Sequence, residues 1–232
     1  MNILALDTAD QVLSAALSAE SGIWYTEIDA GSRHSELLME CIDGLFRIAE
    51  FKAGNLNLVA CMKGPGSFTG LRIGFSTAKG LCLALGIPLA AVPTLDCLAY
   101  PLSIWPGIVL PAIDAKKGCF FTALYRGGER LTDYMDASPE TIAKELSKTL
   151  LSRDEPVVLT GSGAALLLSS FKAYLLPDEI QGELIQTESK PGRGRARELL
   201  DFIKDGKLSE TGDLDSGPSY LRKSDAELNL SD

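Results

Sequence analysis

Two aspartates, a glycine-rich segment and a solitary histidine are the residues of this 232-residue chain whose types and spacing suit chemistry. Asp7 with Thr8 closes one apolar run, and Asp114 closes another at an offset of 107 positions. A carboxylate at a strand end can face a phosphate or its magnesium ion, or it can accept from the amides of its own turn. The segment GPGSFTGLRIG at 64–74 joins a strand to a helix, and Gly64, Gly66, Ser67, Thr69 and Gly70 could turn backbone amides toward an anion. Leu71 and Arg72 stand where a Walker loop has its Lys and Ser/Thr, and the residues around Ser67 do not form a nucleophile elbow. A tight structural turn capped by Ser67 or Thr69 explains the same residues. His34, in SRHSELL, is either a capping or interface residue or the sole general base for Ser67. With one histidine, a metal site needing two imidazoles is excluded.

The elements that must position these residues follow from periodicity. Short strands are expected at 2–8, 12–19 and 22–29, close enough to be hairpins. A helix follows at 34–51, a strand at 57–63, a helix at 71–85, a strand at 88–92 and a short helix from Thr94. The order then restarts. PAIDAKKGCFFTAL at 111–124 echoes LALDTADQVLSAAL at 4–17, pairing Ala112 with Ala5 and Ala123–Leu124 with Ala16–Leu17. A strand is expected at 118–126, a helix at 138–151, a strand at 156–160 and a helix at 196–205. Two β-β-β-α-β-α units predict an α/β duplicated fold of two lobes, residues 1–106 and 107–232, with the cleft between them as the default ligand site.

Composition narrows the function class. Twenty-two basic against 31 acidic residues give a net charge of −9, which disfavours unaided nucleic-acid binding. The five cysteines lack C-x-x-C spacing and read as small core residues in a reducing compartment. The start MNILALDTAD does not resemble a signal peptide, and no apolar run is long enough to span a bilayer, so a cytoplasmic location is expected. Lys190, Arg193, Arg195 and Arg197 form either a solvated loop or a small anion patch. In the polar stretch 206–232, only SYLR at 219–222 reads as anchored.

The helices at 34–51 and 71–85 carry apolar residues over a wider arc than one core contact requires. One face would pack on the sheet. The other is a candidate interface, with Met39, Ile42 and Phe46 at its edge.

ILALDTA, HSELL, GPGSFTGLRIG, GIP at 86–88, PTLDCLA at 93–99, PAIDAKKG at 111–118 and YLR at 220–222 together resemble the bacterial TsaB (YeaZ) family. The resemblance implies an actin/hexokinase/Hsp70-like fold and a part in making threonylcarbamoyladenosine beside the tRNA anticodon. In that role the chain would be a non-catalytic partner of TsaD, together with the ATPase TsaE, and would form a homodimer when TsaD is absent. No tightly bound cofactor is implied, ATP and magnesium being used by the complex, and tRNA would be met only through it. The paralogous TsaD enzymes hold a metal through an H-x-x-x-H pair, whereas the corresponding stretch LAYPLSIW at 98–105 has no histidine. The implied partner interface comprises His34, Leu38, Met39, Ile42, Phe46, Arg72, Phe75 and Lys79. Asp7, Thr8, the 64–70 loop and Asp114 are the candidate anion or nucleotide residues. An ATP-dependent small-molecule kinase and a Ser67–His34 peptidase are the alternative readings.

Overall fold

The computed structural model describes residues 1–171, 174, 181–187, 193–208 and 217–222. Lys190 and the tail beyond Arg222 lie outside the described residues. The chain divides into two compact units, Met1–Cys97 with Gly192–Tyr220, and Leu98–Pro191 with Leu221–Asp232.

In the first unit, tight turns make two hairpins from β1 (Ile3–Asp7) and β2 (Val12–Ala19), both buried on either face, and the half-exposed β3 (Gly22–Asp29). β4 (Leu58–Gly64) and β5 (Leu89–Pro93) add in parallel, giving the order β3-β2-β1-β4-β5. One sheet face packs on α1 (His34–Ile48) and α2 (Phe68–Leu85) through Leu38, Cys41, Ile42, Leu45, Phe75, Ala78 and Cys82. α2 starts three residues before the expected Leu71, because Ser67 Oγ accepts from the Gly70 N–H and caps it. A short helix, α3 (Thr94–Ala99), follows β5.

The second unit repeats the order. β6 (Ile108–Asp114) pairs antiparallel with β7 (Phe120–Thr122) and parallel with β11 (Val157–Thr160). β8 (Tyr125–Arg126), β9 (Glu129–Arg130) and β10 (Met135–Ala137) complete the antiparallel part, and β12 (Leu184–Gln186) extends the parallel edge. α4 (Pro139–Thr149) and α5 (Ala164–Phe171) bury Ile142, Leu146, Leu167 and Phe171 on this sheet. The fold is therefore a duplicated, actin-like α/β architecture with a mixed sheet and packed helices in each unit.

Two expectations need correction. The single strand over 118–126 is broken between β7 and β8, and its register differs from that of the first hairpin. Asp7 faces Ser14, but Asp114 faces Phe120, one position earlier than the constant offset requires. The identity of Ala123–Leu124 with Ala16–Leu17 is thus not a structural equivalence. The break at 106/107 also differs from the observed division. α6 (Ala196–Lys204) returns to the first unit and buries Ala196, Leu199, Leu200 and Ile203 against Ile3, Ala5, Ala60 and Met62, on the sheet face opposite α1 and α2. An amphipathic helix must cover some apolar surface, and the second face of this sheet supplies it.

Candidate functional site

The GPGSFTG segment is shaped for packing. Gly66 and Gly70 lie so close to the β1–β2 turn that a Cβ on either would fall 2.6 Å from the Ala9 carbonyl oxygen or 2.0 Å from that of Thr8. The Ser67 N–H donates to the Ala9 carbonyl at 2.7 Å, the Gly70 N–H is held by Ser67 Oγ, and Thr8 Oγ1 donates to the Gly70 carbonyl at 2.7 Å. At Gly64 a Cβ would meet the Ser219 carbonyl oxygen at 2.5 Å. The hairpin turn and the Ser219 backbone approach this segment closely, and the Ser67 and Gly70 amides are taken up within the unit, which favours the structural-turn alternative of the two readings. Thr69 sits exposed in the first turn of α2.

Asp7 is buried, and each of its carboxylate oxygens accepts one backbone N–H. Oδ1 takes that of Ala9 at 2.9 Å, and Oδ2 takes that of Arg195 at 2.8 Å. The second bond crosses the unit and caps the start of α6 from outside the helix, where the helix dipole favours an anion. Ser14 Oγ accepts from Ala196 N–H at 3.0 Å and Glu27 Oε2 from Gly194 N–H at 3.1 Å, so three successive amides are held by β1, β2 and β3. Burial pushes the Asp7 carboxyl up to about 6, against the lowering effect of the Ala9 and Arg195 amides. Asp114 follows its own turn too. It accepts the Lys116 N–H at 2.8 Å and pairs with Lys116 Nζ at 2.7 Å. Burial raises its carboxyl, but the Lys116 contacts together outweigh this and hold it below the usual range. Both aspartates thus take the turn-amide alternative, and Asp7 directs its remaining oxygen inward to α6.

Within the arginine run, Arg195 is buried and Arg193 and Arg197 are largely exposed. Arg193 and Arg195 both reach Oε1 of the buried Glu198, and Arg197 pairs with Asp201 at 3.1 Å. Glu198 Oε2 has no hydrogen-bond partner among the described residues. These pairings engage Arg193, Arg195 and Arg197 with carboxylates of their own unit.

His34 is buried at the first residue of α1, and its Nε2 has no hydrogen-bond partner among the described residues. Ser67 Oγ serves as the α2 cap, and no Ser67–His34 pair forms. The expected interface residues separate by face. Leu38, Ile42 and Phe75 are 1–2% exposed and belong to the sheet-facing core, and His34 is also buried, so none of the four presents a side chain to a partner. Phe46 is half-buried against Phe51, with ring centroids 5.5 Å apart, and Lys79 Nζ lies 5.5 Å from the centre of the Phe75 ring. Met39 (46% exposed) and Arg72 do face solvent, joined by Leu83 (67%), a residue the sequence did not single out. Met39 on α1 and Leu83 on α2 are thus large apolar side chains left exposed on two helices that pack on the same core cluster.

Arg72 has its own support. Its guanidinium carbon lies 3.9 Å from the centre of the Phe68 ring, and Nε donates to Tyr220 Oη at 3.2 Å. Tyr220 in turn packs on Phe68 with centroids 4.7 Å apart. Only the anchored reading of SYLR hinted at Tyr220.

The family described as "TsaD: tRNA N6-adenosine threonylcarbamoyltransferase" matches residues 26–167. The tRNA threonylcarbamoyladenosine biosynthesis protein TsaB of Bacillus subtilis (strain 168) is 30% identical over 229 residues, 98% of this chain and 96% of its own length. The protein of the same description from Escherichia coli (strain K12) is 33% identical over 131 residues, 56% of this chain and 57% of its own. The solved structure of YeaZ from Pseudomonas aeruginosa superposes with a TM-score of 0.74 at 23% identity, covering 95% of this chain and 99% of that one, a likeness of fold.

Proposed function

The chain belongs to the TsaB (YeaZ) family, and from that premise we propose that it serves tRNA threonylcarbamoyladenosine synthesis as a non-catalytic subunit that docks on TsaD through the outer face of α1 and α2. The observation that carries this reading is the exposure of Met39 and Leu83 on those two helices. Large apolar side chains there gain from leaving water when a second surface covers them. Binding energy at such a face favours the active arrangement of the catalytic partner, a population shift. A second copy of the chain occupies the face when TsaD is absent, and TsaE joins the assembled complex. The chain works in the cytoplasm, and tRNA reaches it through the complex. Two facts agree with a supporting part: the −9 charge, and the arginines of 193–197 engaged with carboxylates of their own unit.

The test is co-purification with TsaD, followed by reconstitution of the modification. Met39→Asp and Leu83→Asp change exposed positions. Each is expected to retain the melting temperature of the parent while losing TsaD association and stimulation of the reaction. Full retention of TsaD by both variants refutes the docking face. Phe46→Asp is unsuitable, because that ring is packed on Phe51.

A further inference from the structure

Arg72 stands on the outer side of α2 in a stripe with Ser76 and Leu83, four and eleven positions along, which bring it back to nearly the same azimuth. An exposed arginine normally loses rotamer freedom when it binds. This one is already placed, stacked on Phe68 at 3.9 Å and hydrogen-bonded through Nε to Tyr220 Oη. Tyr220 follows an anchored residue, since the Ser219 N–H donates to the Lys63 carbonyl at 2.7 Å. With Nε engaged, the two terminal nitrogens form no ion pair or hydrogen bond to any other described residue.

We propose that Arg72 is the receptor for an acidic side chain of the docking protein, its terminal N–H groups gripping the carboxylate while Phe68 and Tyr220 act as positioning residues. The proposal rests on the docking face inferred above and specifies its chemistry. A guanidinium at an apolar face loses its water when the face is covered, and left unpaired it would oppose docking, so the partner has to bring an acceptor. A planar fork held at a fixed angle suits a carboxylate better than a lysine would. A protein carboxylate is favoured over an RNA phosphate because the stripe continues into Leu83, and Met39 adds a second exposed apolar side chain on α1, which packs on the same core cluster. Phosphate binding would call for neighbouring cations, and the chain carries a −9 charge.

Calorimetric titration of the full chain with TsaD of the same organism tests this, alongside tRNA filter binding. Arg72→Glu is expected to weaken TsaD binding by about tenfold or more. Arg72→Lys should weaken it severalfold despite the retained charge, and Tyr220→Phe less. In an Arg72→Ala background, Tyr220→Phe should have no further effect, which a merely structural role for Tyr220 would not produce. Wild-type affinity in Arg72→Glu, with binding lost in Leu83→Asp, overturns the carboxylate receptor and leaves the docking face standing. Wild-type affinity in Arg72→Lys overturns the fork. Loss of tRNA binding with unchanged TsaD binding in Arg72→Glu overturns the proposal in favour of a phosphate. If the unmodified chain does not bind TsaD, the docking face fails and the proposal falls with it.

Discussion

Replacing Asp7 by Asn separates the cost of burying a charge from the benefit of capping α6. The carboxyl titrates at about 6 in the folded protein against 3.8 in an unstructured chain, because its burial outweighs the two amides it accepts. The folded state therefore binds the proton more tightly than the unfolded state. Between pH 4 and 6 the native chain holds more protons, and stability falls as pH rises. A shift of this size corresponds to about 3 kcal/mol, absent below pH 4 and fully developed above pH 6. Asn does not titrate, and its amide can face only one of the two N–H donors as an acceptor, a defect of about 1–3 kcal/mol that does not vary with pH. The assay is urea unfolding of both proteins from pH 4 to pH 7.5. Carboxyls such as Asp114 and Glu155, which are held below their usual range and stabilise with rising pH, are common to both proteins and cancel in the difference. The parent should lose about 3 kcal/mol relative to Asp7→Asn across the interval. A flat difference, or a parent that gains on the variant as pH rises, refutes the account of a desolvated carboxylate beneath α6.

Gly70→Ala should destabilise the first unit by about 1–3 kcal/mol or prevent its folding, since the new methyl group would meet the Thr8 carbonyl oxygen; thermal unfolding reads this directly. Arg222→Lys removes a two-pronged contact with Asp136, both bonds 2.6 Å, and a third bond to the Ala115 carbonyl at 2.9 Å. It should cost about 1–2 kcal/mol, and hydrogen exchange at β7 and β10, which carries Asp136, should report the loosening.

Local pattern made some of this architecture readable and left the rest hidden. The turn signals at Ala9–Asp10 and Ser21–Gly22 and the short spacing between them placed the first hairpins within a residue or so. Periodicity also found α1 and α2, but it counts apolar residues without saying which side the sheet will take. Leu38 and Met39 are neighbours in sequence, yet one is 1% exposed and the other 46%. The role of Asp7 was out of reach for another reason. Its partner amide lies 188 positions away, and no spacing rule links a strand end to the start of a distant helix. The glycines of 64–70 signalled close backbone approach correctly, while what approaches them, the turn at Thr8–Ala9, is a tertiary fact. The same holds for the arginine run, whose charge looked available until Glu198, from the next turn of the same segment, took up two of its three members.

The return of α6 to the first sheet has a consequence for how the chain comes into being. During synthesis, β1 to β5 can pair and accept α1 and α2 once the first hundred or so residues have emerged. Their second face, with Ile3, Ala5, Ala60 and Met62, must wait for Leu199, Leu200 and Ile203. The larger segment of the second unit, Leu98–Pro191, is made in that interval. A nascent chain of this protein therefore carries an uncovered apolar sheet surface until α6 has emerged, and it is there that a chaperone's protection would matter.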